Sequence, residues 1–176
     1  MNICLAIGIL LGYTLLMIKA GGKVPSSLSA SVFDLSIGQR WIWTVVIYSV
    51  CFLCLFPFDI LPHSMSVLDT ISEDTQFLAF IAIAALAFVG AAPLVKDTQD
   101  IAYKVHCAGA GICAGASILL LGFNNAWFLF YFLPFVGYEA WRFRNAQKWR
   151  TQTFWGEMSC FATAFAYFVY NIYNKV

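Results

Sequence analysis

Charged side chains are scarce in this chain. They form 11% of its 176 residues, while 61% are hydrophobic and the mean hydropathy is +0.78. A soluble domain carries about 25% charged and about 45–50% apolar residues. A core of this size cannot hide so much apolar surface, because a water-soluble domain must still cover itself with polar groups. Lipid is therefore the expected solvent for most of these side chains. A basic cluster is also missing. The net charge is +1 and the cations are dispersed, which excludes a nucleic-acid partner. No polar stretch is longer than the loop at 19–40, so a separate soluble domain has no room. Histidine is rare as well, with only His63 and His106 present. A zinc hydrolase needs three protein ligands, and the topology below puts the two histidines on opposite faces. No GxSxG and no glycine-rich phosphate loop occurs. No cofactor or metal is expected.

What the chain has in quantity is long apolar runs. About 20 helical residues cross the hydrocarbon of a bilayer. On that basis the sequence divides into a single all-α domain, 1–176, with six expected spans at 3–18, 41–58, 77–95, 103–123, 126–141 and 154–172. Charge supports this topology. Lys19, Lys23, Arg40, Lys96, Lys104, Arg142, Arg144, Lys148 and Arg150 fall on one side, and only Lys175 on the other. The basic side is the cytoplasmic one by the positive-inside rule. The reading is a bacterial inner-membrane protein with both termini outside. The outer loop after span two carries Asp59, Asp69, Glu73 and Asp74 without a Lys or Arg.

Loop one, KAGGKVPSSLSASVFDLSIGQR, has Ser26, Ser27 and Ser29 as candidate caps after Pro25. Leu28, Val32, Phe33, Leu35 and Ile37 give it an apolar side. It reads as a short helix lying on the inner surface, or as a serine-rich lip over a cytoplasmic pocket. Cys51 and Cys54 form a CxxC at membrane depth, and all six cysteines fall in expected spans. They read as small packing residues. Span four carries Gly109, Gly111 and Gly115 among alanines. Small residues let helices approach closely in lipid, so this span is expected to be the central helix or the face of a homo-oligomer. Pro134 and Gly137 are expected to kink span five. All six tryptophans read as an interfacial belt.

Candidate chemistry gathers on the inner side. His106 lies about one turn into span four, where an imidazole facing lipid would be costly. Asp97, Asp100, Tyr103, Ser26, Ser29, Glu139 and Glu157 lie on the same side and complete a candidate ligand-binding vestibule. The leading expectation is a non-enzymatic protein that binds a membrane lipid, a small amphiphile or a partner helix there. A small-solute channel or transporter is the alternative, although no charged residue lies at the centre of a span. A membrane-embedded lipid hydrolase or transferase is the second alternative.

PSSLSASVFDLSIGQRW and, later, VGAAPLVKDTQDIAYKVHCAGA resemble stretches of uncharacterised small polytopic proteins of gut bacteria and their phages. The second stretch is also loosely similar to six-span proteins of the DRAM/Sfk type, where a proline closing span three precedes a histidine in span four. Pro93 and His106 are the matching positions. The resemblance implies a polytopic membrane protein of a family without a settled reaction.

Overall fold

The computed structural model of the chain describes residues 2–29, 31–32, 35–56, 66–94, 99–144 and 151–175. Among them every regular element is helical and no strand occurs. The α-helices are α1 (Asn2–Gly21), α2 (Trp41–Leu55), α3 (Val67–Thr70), α4 (Gln76–Ala91), α5 (Gln99–Asn125), α6 (Leu133–Arg144) and α7 (Gln152–Lys175). Short 3-10 turns lead into α2 and α4, extend α4 through Ala92–Leu94, and join α5 to α6 over Ala126–Phe132.

Three segments are long and apolar enough to cross a membrane: Ile3–Gly21, Glu73–Ala91 and Ile101–Phe130. Trp41–Leu55 is apolar but shorter. Leu5, Leu15, Phe80, Phe88, Leu119 and Phe123 all project outward, each at least half exposed. Side chains of this kind point outward only where the surroundings are themselves apolar. The chain is therefore built as a membrane-embedded helical protein.

The helices assemble around α4. It packs against α5 more extensively than any other pair, and against α2, which carries α1 on its other side. The expectation of span four as the most enclosed helix is corrected here. The Glu73–Ala91 window is 39% buried, whereas Ile101–Phe130 is only 28% buried. The reason is rotational. Cys107, Ala108, Gly111, Ile112 and Gly115 lie on the exposed side of α5, and nothing approaches within 4 Å of a Cβ built at Gly111 or Gly115. The close approach belongs to Gly109, whose Cβ would sit 3.0 Å from the Ala85 carbonyl oxygen.

Span five also differs from its expected form. Asn125 accepts the Trp127 N–H on its side chain and starts the 3-10 segment Ala126–Phe132. Pro134 is then the second residue of α6. A proline in the first turn of a helix removes an N–H that has no intrahelical partner. It therefore starts a new helix instead of bending an old one. At 12 residues α6 is too short to cross a bilayer alone.

The end of the bundle that carries α3 is closed by small polar locks. Ser66 and Asp69 form a capping box at the start of α3, in which each side chain accepts the other's backbone N–H. Asn124 Nδ2 donates to Thr75 Oγ1 at 2.7 Å, and its Oδ1 accepts the Ser72 N–H. The expected acidic outer loop thus spends Asp69 on a helix cap. Glu73 and Asp74 are exposed in the 3-10 turn ahead of α4, and Asp59, like His63, lies outside the described residues.

Candidate functional site

Proline chemistry prepares the C-terminal end of α4. In an α-helix the N–H of residue 93 would bond the carbonyl of residue 89, and Pro93 has no N–H to give. The Val89 carbonyl is thereby released to side chains of other helices. Trp43 Nε1 donates to it at 3.3 Å. Thr44 Oγ1 donates to the next carbonyl, Gly90, at 2.8 Å. This corrects one member of the aromatic belt. Trp41, Trp127, Trp141 and Trp155 are exposed, but Trp43 is 1% exposed and stacks on Tyr13 with centroids 5.1 Å apart. Trp149 lies outside the described residues.

Loop one does not lie on the surface. Leu28 and Val32 are fully buried, and Ser27, Ser29 and Ser31 are buried with them. Residues 26–29 and 31–32 enter the bundle beside α1, the first turns of α5 and the start of α7. Leu28 and Val32 join Leu10, Tyr13, Met17, Trp43 and Phe154 in one core cluster. Buried backbone in a turn must find partners, and α7 supplies them. Phe154 N–H donates to the Ser26 carbonyl at 3.0 Å. Glu157 Oε2 accepts the Leu28 N–H at 2.5 Å and the Ser29 N–H at 3.4 Å. Glu157 Oε1 accepts the Ser27 hydroxyl at 2.8 Å and also the Ser29 hydroxyl. The Ser31 hydroxyl donates to the Leu28 carbonyl and lies 3.4 Å from the Tyr13 hydroxyl.

His106 completes the cluster from α5. Its Nε2 is 2.8 Å from Ser29 Oγ, and the residue is 4% exposed. Glu157 interacts with it electrostatically from the other side of the serine hydroxyl. Ser29 thus stands between an imidazole and a carboxylate.

Of the residues expected in the vestibule, the structure brings His106, Ser29 and Glu157 into direct contact. Ser26 contributes its carbonyl, while its side chain is exposed. Tyr103 points outward at 56% exposure and interacts with Cys107 on the next turn of α5. Glu139 is half-buried on α6 and is not among the described residues that line the cavity below. Asp100 opens α5, with its side chain outside the described residues, and Asp97 lies outside them altogether. Residues missed at the sequence level are Ser27, the Leu28 N–H, Trp43 and the Val89 carbonyl. Leu28 and Val32, four apart and both apolar, were the available sign that this loop has a buried face.

A cavity of about 430 Å³ opens beside the cluster. This size is typical of a small-molecule site. Ser29, Gln152, Thr153 and Glu157 line one end. Away from that end the wall is formed by Leu86, Ala110, Cys113, Ala114, Phe161 and Phe165. Val67, Leu120 and Phe168 line the far end. From Glu157 to Phe168 the wall follows α7 for about 16 Å at 1.5 Å per residue. The cavity is therefore long and mostly apolar, with a carboxylate and hydroxyls at one tip and the Ser117 hydroxyl partway along. Cys54, Cys113 and Cys160 line it as free thiols.

The chain matches no family model, no curated protein and no solved structure.

Proposed function

We infer that this is a six-span protein of a bacterial inner membrane that holds a single-chain amphiphile in the cavity between α4, α5 and α7. The supporting observation is the shape and polarity of that cavity. An apolar channel suits a hydrocarbon chain, and the Ser29–Glu157 tip suits a headgroup that donates or exchanges hydrogen bonds. None of the described residues that line it is Lys or Arg, so a neutral headgroup fits better than an anionic one beside the Glu157 carboxylate.

The reading predicts that the protein, extracted in a mild detergent and analysed by native mass spectrometry, retains a lipid-sized adduct. Ala114→Trp, which puts an indole into the cavity, is expected to reduce occupancy by at least about tenfold, or about 1.4 kcal/mol. Ala108→Trp, on the exposed side of α5, is expected to leave occupancy unchanged. Equal occupancy in the wild type and in Ala114→Trp would show that any adduct sits elsewhere.

The topology has its own test. In this reading residue 30 is cytoplasmic and the C-terminus is outside, because almost all cations lie in loops on one side. Reporter fusions at these two positions are expected to report opposite compartments. Both reporting from one compartment would remove the six-span arrangement.

A further inference from the structure

We propose that Ser29 is a nucleophile for acyl transfer, with His106 as its proton acceptor, and that the cavity holds the chain of a carboxylic ester whose carbonyl meets Ser29. The proposal rests on the cavity binding an amphiphile and adds chemistry to that site.

Anchoring of loop one is already achieved by Glu157 with the Ser27 hydroxyl and the Leu28 N–H. It does not call for an imidazole. Yet α5 places His106 Nε2 at 2.8 Å from Ser29 Oγ, the distance expected of a nucleophile and its base. The ring is buried, beside the backbone of Val89 on α4. The Ser29 hydroxyl has one hydrogen, directed to Glu157 Oε1 at rest; it turns to His106 Nε2, 2.8 Å away, in the tautomer that leaves that nitrogen unprotonated. Ser29 also lines the cavity, so a bound ester can reach its oxygen. The N-terminus of α7 and the side chains of Gln152 and Thr153 lie at the same tip. They supply positive dipole and hydrogen-bond donors where negative charge develops on the carbonyl oxygen.

The steps balance. Ser29 Oγ bonds to the ester carbonyl carbon as its proton passes to His106 Nε2. The tetrahedral oxyanion collapses, the bond to the alkoxide oxygen breaks, and His106 returns the proton to the departing alcohol. Water, giving a proton to His106, then attacks the acyl-serine and releases a fatty acid. Ser29 recovers its hydrogen. The net reaction is ester plus water to acid plus alcohol, with no redox change. Ser29 and His106 are the catalytic residues. Glu157 is a positioning residue that fixes the turn and stabilises the imidazolium through space.

The test uses the full chain in lipid nanodiscs. A dodecyl fluorophosphonate is expected to add to Ser29, located by peptide mapping, and p-nitrophenyl dodecanoate is expected to be hydrolysed. Ser29→Ala is expected to lose both. His106→Gln keeps a hydrogen-bonding partner for Ser29 without a base, and is expected to lower hydrolysis by on the order of 10²–10⁴-fold. Retained binding of dodecyl maltoside with no Ser29 adduct and no hydrolysis above empty nanodiscs would overturn the acyl-transfer proposal and leave the binding reading standing. No binding, no adduct and no hydrolysis would overturn both. Hydrolysis undiminished in His106→Gln, with the variant as stable as the wild type, would also reject His106 as the base.

Discussion

Glu157→Ala is expected to destabilise the folded protein by about 3–5 kcal/mol, because hydrogen bonds to a charged group each contribute about 1.5–3 kcal/mol and their donors are stranded when it is removed. The carboxylate receives the Leu28 N–H and the Ser27 and Ser29 hydroxyls inside the bundle. Without it the buried Leu28 N–H and the Ser27 hydroxyl lose their charged acceptor, while Ser29 keeps His106 as a partner. On the side away from the cavity, Leu28 and Val32 pack in one cluster with Trp43 and Phe154 and close the turn off. Glu157→Gln keeps one acceptor oxygen and is expected to lose about half as much, since an uncharged acceptor makes the weaker bond. His106→Ala is expected to cost less again, because Ser29 keeps Glu157 as its partner. Denaturant unfolding in mixed micelles, followed by tryptophan fluorescence, measures all three. A loss below about 1 kcal/mol in Glu157→Ala, the size of one ordinary hydrogen bond, would mean that loop one is held in the bundle by its apolar residues alone.

The contrast among these variants also separates structure from chemistry. Glu157 holds the turn, whereas His106 touches it only through the hydroxyl of Ser29. A large stability effect at 157 with a small one at 106 is the pattern that leaves the imidazole available for proton transfer. Should both variants unfold to the same extent, the three side chains would act as one structural lock.

The helices were legible because long apolar runs need backbone bonds satisfied within the segment. The runs at 3–18, 41–58, 77–95 and 103–123 coincide with α1, α2, α4 and α5 to within a few residues at each described end. Loop one was harder. Leu28 and Val32 are spaced alike whether a turn lies on a membrane surface or enters a bundle, because hydrophobic spacing does not say whether lipid or protein covers the face. Trp43 shows the same ambiguity. A tryptophan near a helix end suits an interfacial belt, and only the Val89 carbonyl freed by Pro93 makes it a core residue instead. His106, Ser29 and Glu157 were each recognised as candidates on the inner side. Their contact joins residues 77 and 128 positions apart in the chain, and no local periodicity encodes a pairing of that range. The glycines of α5 divide between two surroundings. Gly109, Gly111 and Gly115 look alike in a sequence, but a helix turns by about 100° per residue, so two positions separate a buried face from an open one.

That difference yields the second large effect. Gly109→Leu is expected to cost about 3 kcal/mol, at the upper end of the range for overpacking a filled interface. A Cβ at 109 would lie 3.0 Å from the Ala85 carbonyl oxygen, 3.1 Å from Val89 Cγ2 and 3.4 Å from the Val89 nitrogen. Two of these are backbone atoms of α4, and neither can move without moving the helix. The α4–α5 contact is the most extensive in the bundle, so the strain has no local outlet. Separation of the two helices would also draw the Val89 backbone away from His106 and spread the cavity wall between Leu86 and Ala110. Loss of bound amphiphile is therefore expected together with loss of stability. Gly111→Leu, where nothing lies within 4 Å of the new Cβ, is expected to change stability by no more than about 0.5 kcal/mol, as for an ordinary surface position. Unfolding midpoints for the pair decide the matter. If Gly111→Leu is the more damaging of the two, then the outward stripe of α5 is covered in the assembled protein, and the arrangement of α5 around α4 described here is not the one that sets its stability.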